Sequence, residues 1–278
     1  MLFPATLVSL LAAATWGAAD FNGGRAARRA PVIPVAMLSQ FAGCLFMVVL
    51  AVALRQPFLS ARSLGFSILA GAGNALGITC LYRSLAEEKM GIGAPVAAVI
   101  TAMLPVGVGI AGQGWPAPQK LAGFVLAITG IWLLARPSGP VAHSRGLRHA
   151  VLAGIGFSGF LVLIRMGGGT DQALWSLAVA RGTPSLILLV IGSMVRTNWS
   201  SARPAAVFIV LAGVLDSTGG LLFTLAAHHA RLDVATILAS LYPASTVILA
   251  RLVLKERLSR SQTTGMLAAL AAVPLIAM

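Results

Sequence analysis

Apolar runs recur along the whole chain, separated by short stretches that carry most of its charge. Ten runs can be marked, at residues 3–21, 32–54, 64–82, 91–111, 120–135, 147–166, 172–195, 204–226, 234–254 and 262–277. At about 1.5 Å of rise per residue, a helix of about 20 residues crosses the roughly 30 Å of hydrocarbon in a bilayer. The runs are continuous Leu, Ala, Val and Ile with glycine interspersed, whereas a membrane barrel needs alternating segments of about ten residues. The pattern predicts an all-α integral membrane protein with ten transmembrane helices, because a helix satisfies its own backbone where no water can. The run at 120–135 is short, and the run at 147–166 is interrupted by glycine. Glycines such as Gly71, Gly73, Gly77, Gly213, Gly219 and Gly220 read as surfaces where helices approach closely.

The polar positions inside these runs repeat. At an offset of 141 or 142 residues, Asn74 with Gly71 and Gly77 falls on Asp216 with Gly213 and Gly219, Gln40 on Arg181, Ala94 on Ala235, and Gly123 on Gly265. Such self-similarity is the mark of an internal repeat. It divides the chain into a first five-helix repeat, residues 1–140, and a second, residues 141–278. Five is odd, so the second copy enters the membrane from the opposite side, which gives inverted repeats about an axis in the membrane plane.

Composition agrees, with 58% hydrophobic and 10% charged residues and a mean hydropathy of +0.91, against about a quarter charged in soluble domains. The net charge of +13 is scattered in loop clusters and forms no basic stripe, so nucleic acid is not an expected partner. Those clusters instead orient the chain. Fourteen of the 20 basic residues, among them Arg25, Arg28 and Arg29 and the group from Arg251 to Arg260, fall on one side and five on the other, with Arg181 inside a helix. By the positive-inside rule both termini lie outside. The first run has no basic residue before it and reads as a helix of the mature protein, not a cleaved signal. Cys44 and Cys80 lie in apolar runs without ligand spacing and are expected to be reduced and inert.

Residues 240–243 (Ser-Leu-Tyr-Pro), the run 244–254, then Lys255-Glu256-Arg257-Leu258-Ser259 and Gln262 with Gly265 resemble the repeat signature of the drug/metabolite transporter superfamily, and within it the EamA-like branch. Trp16-Gly17 is similar to the tryptophan-glycine pair of its first helix, and Arg181 sits where members often carry arginine. Lys255 stands where glycine is usual, and the first half has lost the Glu-Arg-Leu element, having GQGWPAPQK at 112–120. The resemblance implies a secondary transporter of small metabolites, amino acids or related compounds, exported by alternating access across a cell inner membrane. It also implies termini in the cytoplasm, against the charge count.

An ionisable side chain at the centre of a bilayer costs on the order of 3 kcal/mol, so those present face a cavity or a partner. Asp216 is a candidate for binding a substrate ammonium or coupling to protons, or else a structural partner of Arg181; Arg181 is a candidate for capturing an anion. Gln40 and Asn74 hold the matching places in the first half, as substrate contacts or as helix-to-helix hydrogen bonds. Trp16, Tyr82, Phe223 and Tyr242 offer apolar faces with polar edges, for a cavity or for an interfacial belt; Trp16 and Tyr242, with Ser240, are the substrate-binding candidates among these. Asp20 reads either as a coupling carboxylate or as a solvated helix end beside Asn22, Gly23 and Gly24, and His228 as a proton shuttle. Pro95, Pro105 and Pro243 are candidate flex points. No nucleotide-binding loop, nucleophile elbow or metal-ligand spacing occurs in the sequence, so no enzyme activity, cofactor or metal is expected. The partners expected are a small-molecule substrate and the lipid bilayer, with the chain a monomer or homodimer; the rival reading is a non-transporting membrane component for assembly or lipid handling.

Overall fold

The computed structural model describes residues 2–87, 90–134, 144–167, 169–254 and 259–277. Among the described residues the chain is helical, with no strand. In the first half α1 (Leu2–Ala27), α2 (Val32–Ala53), α3 (Ala61–Glu87), α4 (Met90–Gln113) and α5 (Pro118–Leu134) follow one another through short links. In the second half come α6 (Ser144–Met166), α7 (Ala173–Met194), α8 (Ala206–His229), α9 (Leu232–Ala239), α10 (Tyr242–Leu254) and α11 (Arg260–Ala277). Among the described residues, seven segments are each long and apolar enough to cross a membrane: Val32–Ala53, Ala61–Glu87, Gly93–Gln113, Gly146–Met166, Thr170–Met194, Trp199–His229 and Leu232–Val253. The chain is therefore a multi-pass helical membrane protein. The 17-residue α5 spans about 25 Å, the shortest of the first-half helices as its brief apolar run foretold.

The Lys255-Glu256-Arg257-Leu258 element lies outside the described residues, as do Arg136 and His143.

The run at 234–254 is broken where one continuous helix was expected. Helix α9 ends at Ala239 and α10 starts at Tyr242. Pro243 has no N–H to give to the carbonyl four residues back, and it fits the first turn of a new helix. The ladder is thus cut, and the Ser240 N–H closes α9 on Thr236 O at 2.8 Å. Helix α4, by contrast, runs unbroken through both Pro95 and Pro105.

Helices of opposite halves pack together. Helix α1 lies against α8 and α10, α3 against α6, α2 against α7 and α8, α4 against α6 and α9, and α5 against α11. Without water to drive association, such contacts rest on close backbone approach at small residues. At the α2–α8 crossing a Cβ on Gly213 would collide with the Ser39 carbonyl, and one on Gly43 would come 2.8 Å from Gly213 O. At α3–α6 a Cβ on Gly156 would meet Gly73 O at 2.5 Å, and at α5–α11 one on Gly130 would meet Gly265 O at 2.8 Å. The glycines read as packing surfaces do sit at crossings.

Large apolar side chains such as Phe41, Leu45, Val49, Leu186, Val190, Val207 and Leu270 point outward and are more than half exposed, as a lipid-facing surface requires.

Candidate functional site

The polar residues picked from inside the apolar runs converge. Arg181 on α7 and Asp216 on α8 form an ion pair at 2.7 Å between Nη1 and Oδ2, and Arg181 Nη2 donates to Asp216 Oδ1 at 3.1 Å. Gln40 on α2 donates from Nε2 to Asp216 Oδ2 at 3.0 Å. The Gln40 Oε1 accepts from Asn74 Nδ2 at 2.8 Å and from Arg181 Nη1 at 3.3 Å. One network therefore joins α2, α3, α7 and α8, and joins the two halves of the chain.

The local sequence explains how two bulky donors reach the same stretch of α8. Gly219 and Gly220 follow Asp216 by about one turn and carry no side chain. A Cβ on Gly219 would stand 2.5 Å from the Trp16 indole, and one on Gly220 3.1 Å from Arg181 Nη2. With that space clear, Trp16 Nε1 and Arg181 Nη2 both donate to the Asp216 backbone carbonyl, at 3.1 and 3.2 Å. Trp16 also lies against the Phe223 ring, 5.7 Å between centroids, and the Phe160 ring lies 5.1 Å from the Arg181 guanidinium. That contact adds cation–π attraction to the pair.

Beside this network is a cavity, partly open to the outside. Trp16 and Asp20 of α1, Asn74 of α3, Arg181, Asp216 and Ser240 form its polar wall. Its apolar lining comes from Ile78 and Leu81 on α3 and from Phe157, Phe160 and Leu161 on α6. Thr101 of α4 and Tyr242 at the start of α10 complete the lining. The break between α9 and α10 thus falls at the cavity wall. Tyr242 is anchored there by its hydroxyl, which donates to Ala94 O at 3.2 Å.

The residues singled out from the sequence divide into three groups. Trp16, Asn74, Arg181, Asp216, Ser240 and Tyr242 line the cavity. Gln40 is fully buried behind the wall and holds Asp216 and Asn74 in place. His228 is in the last turn of α8, twelve residues or about 18 Å along the helix from Asp216, and is not part of the lining.

One reading is corrected. Asp20 is not at a solvated helix end, because α1 continues to Ala27 and leaves Asp20 8% exposed and facing the cavity. Arg181 lines the cavity as one half of an ion pair, with its Nη atoms on Asp216 and Gln40 and the residue 1% exposed, which is the structural alternative read for it alongside anion capture. Phe223 and Tyr82 are buried in the protein and not at an interfacial belt.

Sequence reasoning missed Phe157, Leu161 and Thr101, which nothing in their type distinguishes. The repeat offset contains the signal, because 141 positions separate Trp16 from Phe157, Asp20 from Leu161, and Thr101 from Tyr242. A second charged pair was also missed. Arg231 binds the fully buried Asp233 at 2.8 Å and donates to Gln113 O and Gly114 O, clasping the end of α4 to the start of α9. The hydrogen bond to Asp233 pushes the Arg231 pKa up from an already high value, so the clasp keeps its charge at any ordinary pH.

Comparison with known proteins now has a geometry to attach to. The EamA-like transporter family matches residues 144–278. The second half of the chain is thus similar to EamA-like transporters, the branch that the residues at 240–265 resemble. No curated protein matches the chain. One solved crystal structure, 13% identical, superposes on it with a TM-score of 0.73 over 98% of this chain and 97% of its own. That likeness extends the shared fold over both halves, beyond residues 144–278.

Proposed function

We propose that this EamA-like protein is a secondary carrier, moving small polar or amphipathic metabolites through the cavity between its two halves by alternating access. The observation that carries the reading is the cavity itself, with Asp20, Asp216 and Arg181 gathered at one space among helices that lie in lipid. Charges are tolerated there where they serve a pathway or pair with each other. The repeats would be residues 1–140 and 141–278, making ten spans with α9 and α10 as halves of one.

The packing supports that division. Exchanging each helix with its counterpart turns α1–α8 into α6–α3 and α2–α8 into α7–α3, and leaves α2–α7 and α5–α11 unchanged; all of these pairings occur. The α9–α10 break at the cavity is the discontinuous helix typical of inverted-repeat carriers. Trp16, Asn74, Ser240, Tyr242 and Asp216 would contact substrate, and Asp216 or Asp20 would couple flux to protons. A single chain holds the whole cavity, so a monomer suffices, in a bacterial-type inner membrane with export as the working direction.

The Arg181–Asp216 pair also suits a purely structural glue, which is the reading of a non-transporting membrane component. Flux in proteoliposomes separates the two. Labelled amino acids and related metabolites are screened with and without a pH gradient, alongside Asp216→Asn. Saturable flux lost in the variant is expected; intact flux in Asp216→Asn removes that residue from the site, and no flux for any compound from folded protein favours the non-transporting component.

A further inference from the structure

The two carboxylates of the cavity are not equivalent. Asp216 is saturated: its Oδ atoms take Arg181 and Gln40, and its backbone oxygen takes Trp16 and Arg181. Asp20 is within electrostatic reach of Asp216, yet among the described residues no hydrogen bond or ion pair reaches its carboxylate. It is nonetheless 92% buried and lines the cavity. A buried carboxylate without a counter-charge is a group prepared for one.

We propose that the cavity takes organic cations, an ammonium carried on an apolar body, with Asp20 as the counter-ion. This deepens the carrier reading and rests on it. The pairing in the lining supports the assignment, because its one guanidinium is bound to Asp216, which leaves Asp20 as the carboxyl group without a cation among the described residues. The surroundings support it too. Trp16 lies one turn before Asp20 on the same face of α1, and Tyr242 joins the lining nearby, so aromatic side chains stand at the anionic end, as sites for ammonium groups require.

The lining positions that match Asp20 and Trp16 at the 141-residue offset carry no charge. Leu161 stands at the repeat position of Asp20, and Phe157 at that of Trp16. A ligand charged at one end and apolar at the other matches this polarity. A zwitterion does not, because its carboxylate would have to displace Asp216 from Arg181, which is 1% exposed.

The test is binding to the full-length protein in lipid nanodiscs, read by calorimetry, and needs no transport step. The probes are benzyltrimethylammonium, neutral 2-phenylethanol and zwitterionic phenylalanine. The cation should bind saturably and at least about tenfold more tightly than the other two, a preference of roughly one and a half kcal/mol. Asp20→Asn should abolish that preference and Asp20→Glu should keep it. Should Asp20→Asn fail to fold, the ranking of the three probes on the wild-type protein still decides. Equal binding of all three, tighter binding of phenylalanine, no binding of the cation, or undiminished binding of the cation by folded Asp20→Asn would each overturn the proposal. Failure of the carrier reading is a separate result: cation binding that depends on Asp20, with no flux in proteoliposomes.

Discussion

The α7–α8 wall of the cavity and the α1 wall each carry a buried carboxylate, and the two are held in opposite ways. On α8, Asp216 is placed by two helix crossings: Gly213 brings α2 close enough for Gln40, and Gly220 lets the Arg181 fork close on it. On α1, Asp20 has neither a cation nor a donor among the described residues, and an open space lies in front of it. The same chemical group is a keystone on one wall and an unfilled position on the other. The lesson is that burial and charge alone do not say what an intramembrane carboxylate does; its partners do.

The comparison breaks most easily at Arg181. Arg181→Gln leaves Asp216 without its cation inside the bundle, and removing one partner of a buried pair costs on the order of 3–5 kcal/mol. A large fall in the thermal midpoint of the purified protein is expected. The double variant Arg181→Gln with Asp216→Asn should recover part of it, since no charge is then left alone. A single variant as stable as the wild type would show that the pair does not hold α7 to α8.

A smaller effect is expected where the wall is positioned. Gly213→Ala drives a Cβ into the Ser39 carbonyl, a backbone atom that cannot swing aside, and overpacking of this kind costs about 1–3 kcal/mol. Gly65→Ala is the control, with nothing within 4 Å of its Cβ. A helix gains up to about 1 kcal/mol from that exchange. Equal midpoints for the two variants would remove the α2–α8 crossing as the device that brings Gln40 to Asp216.

Much of this site could be read from the sequence because a bilayer makes polar residues conspicuous. Gln40, Asn74, Arg181 and Asp216 stand out of apolar runs, and they recur at an offset of 141 or 142 residues. The apolar wall could not be read in the same way. Phe157, Phe160 and Leu161 are ordinary membrane residues, and only the rotation of α6 about its axis, fixed by the Gly73–Gly156 crossing, turns them inward. Asp20 was misplaced as a possible helix end for a related reason. Its neighbours Asn22, Gly23 and Gly24 are poor formers of isolated helices, but Gly23 is covered by the Tyr82 ring from α3 and α1 continues past it. Tertiary packing overrode local propensity there. Pro95, Pro105 and Pro243 are equivalent flex points in the sequence, yet only Pro243 falls at a break, between α9 and α10, while α4 runs through the other two.

The smallest effect on stability, and the sharpest contrast, is expected at Asp20. Asp20→Asn replaces a carboxyl group that has no hydrogen-bond or ion-pair partner among the described residues with a neutral group of nearly the same shape, so no interaction is lost. The thermal midpoint of the ligand-free protein should hold or rise. Asp216→Asn, which takes the counter-charge from a guanidinium that is 1% exposed, should lower it. Comparable falls in both variants would mean that Asp20 is held by a partner after all, and the two walls would then be alike. Opposite signs, measured side by side in the same lipid, would establish that the fold gains nothing from the carboxylate on α1, and that its reason for being there is to meet something that enters the cavity.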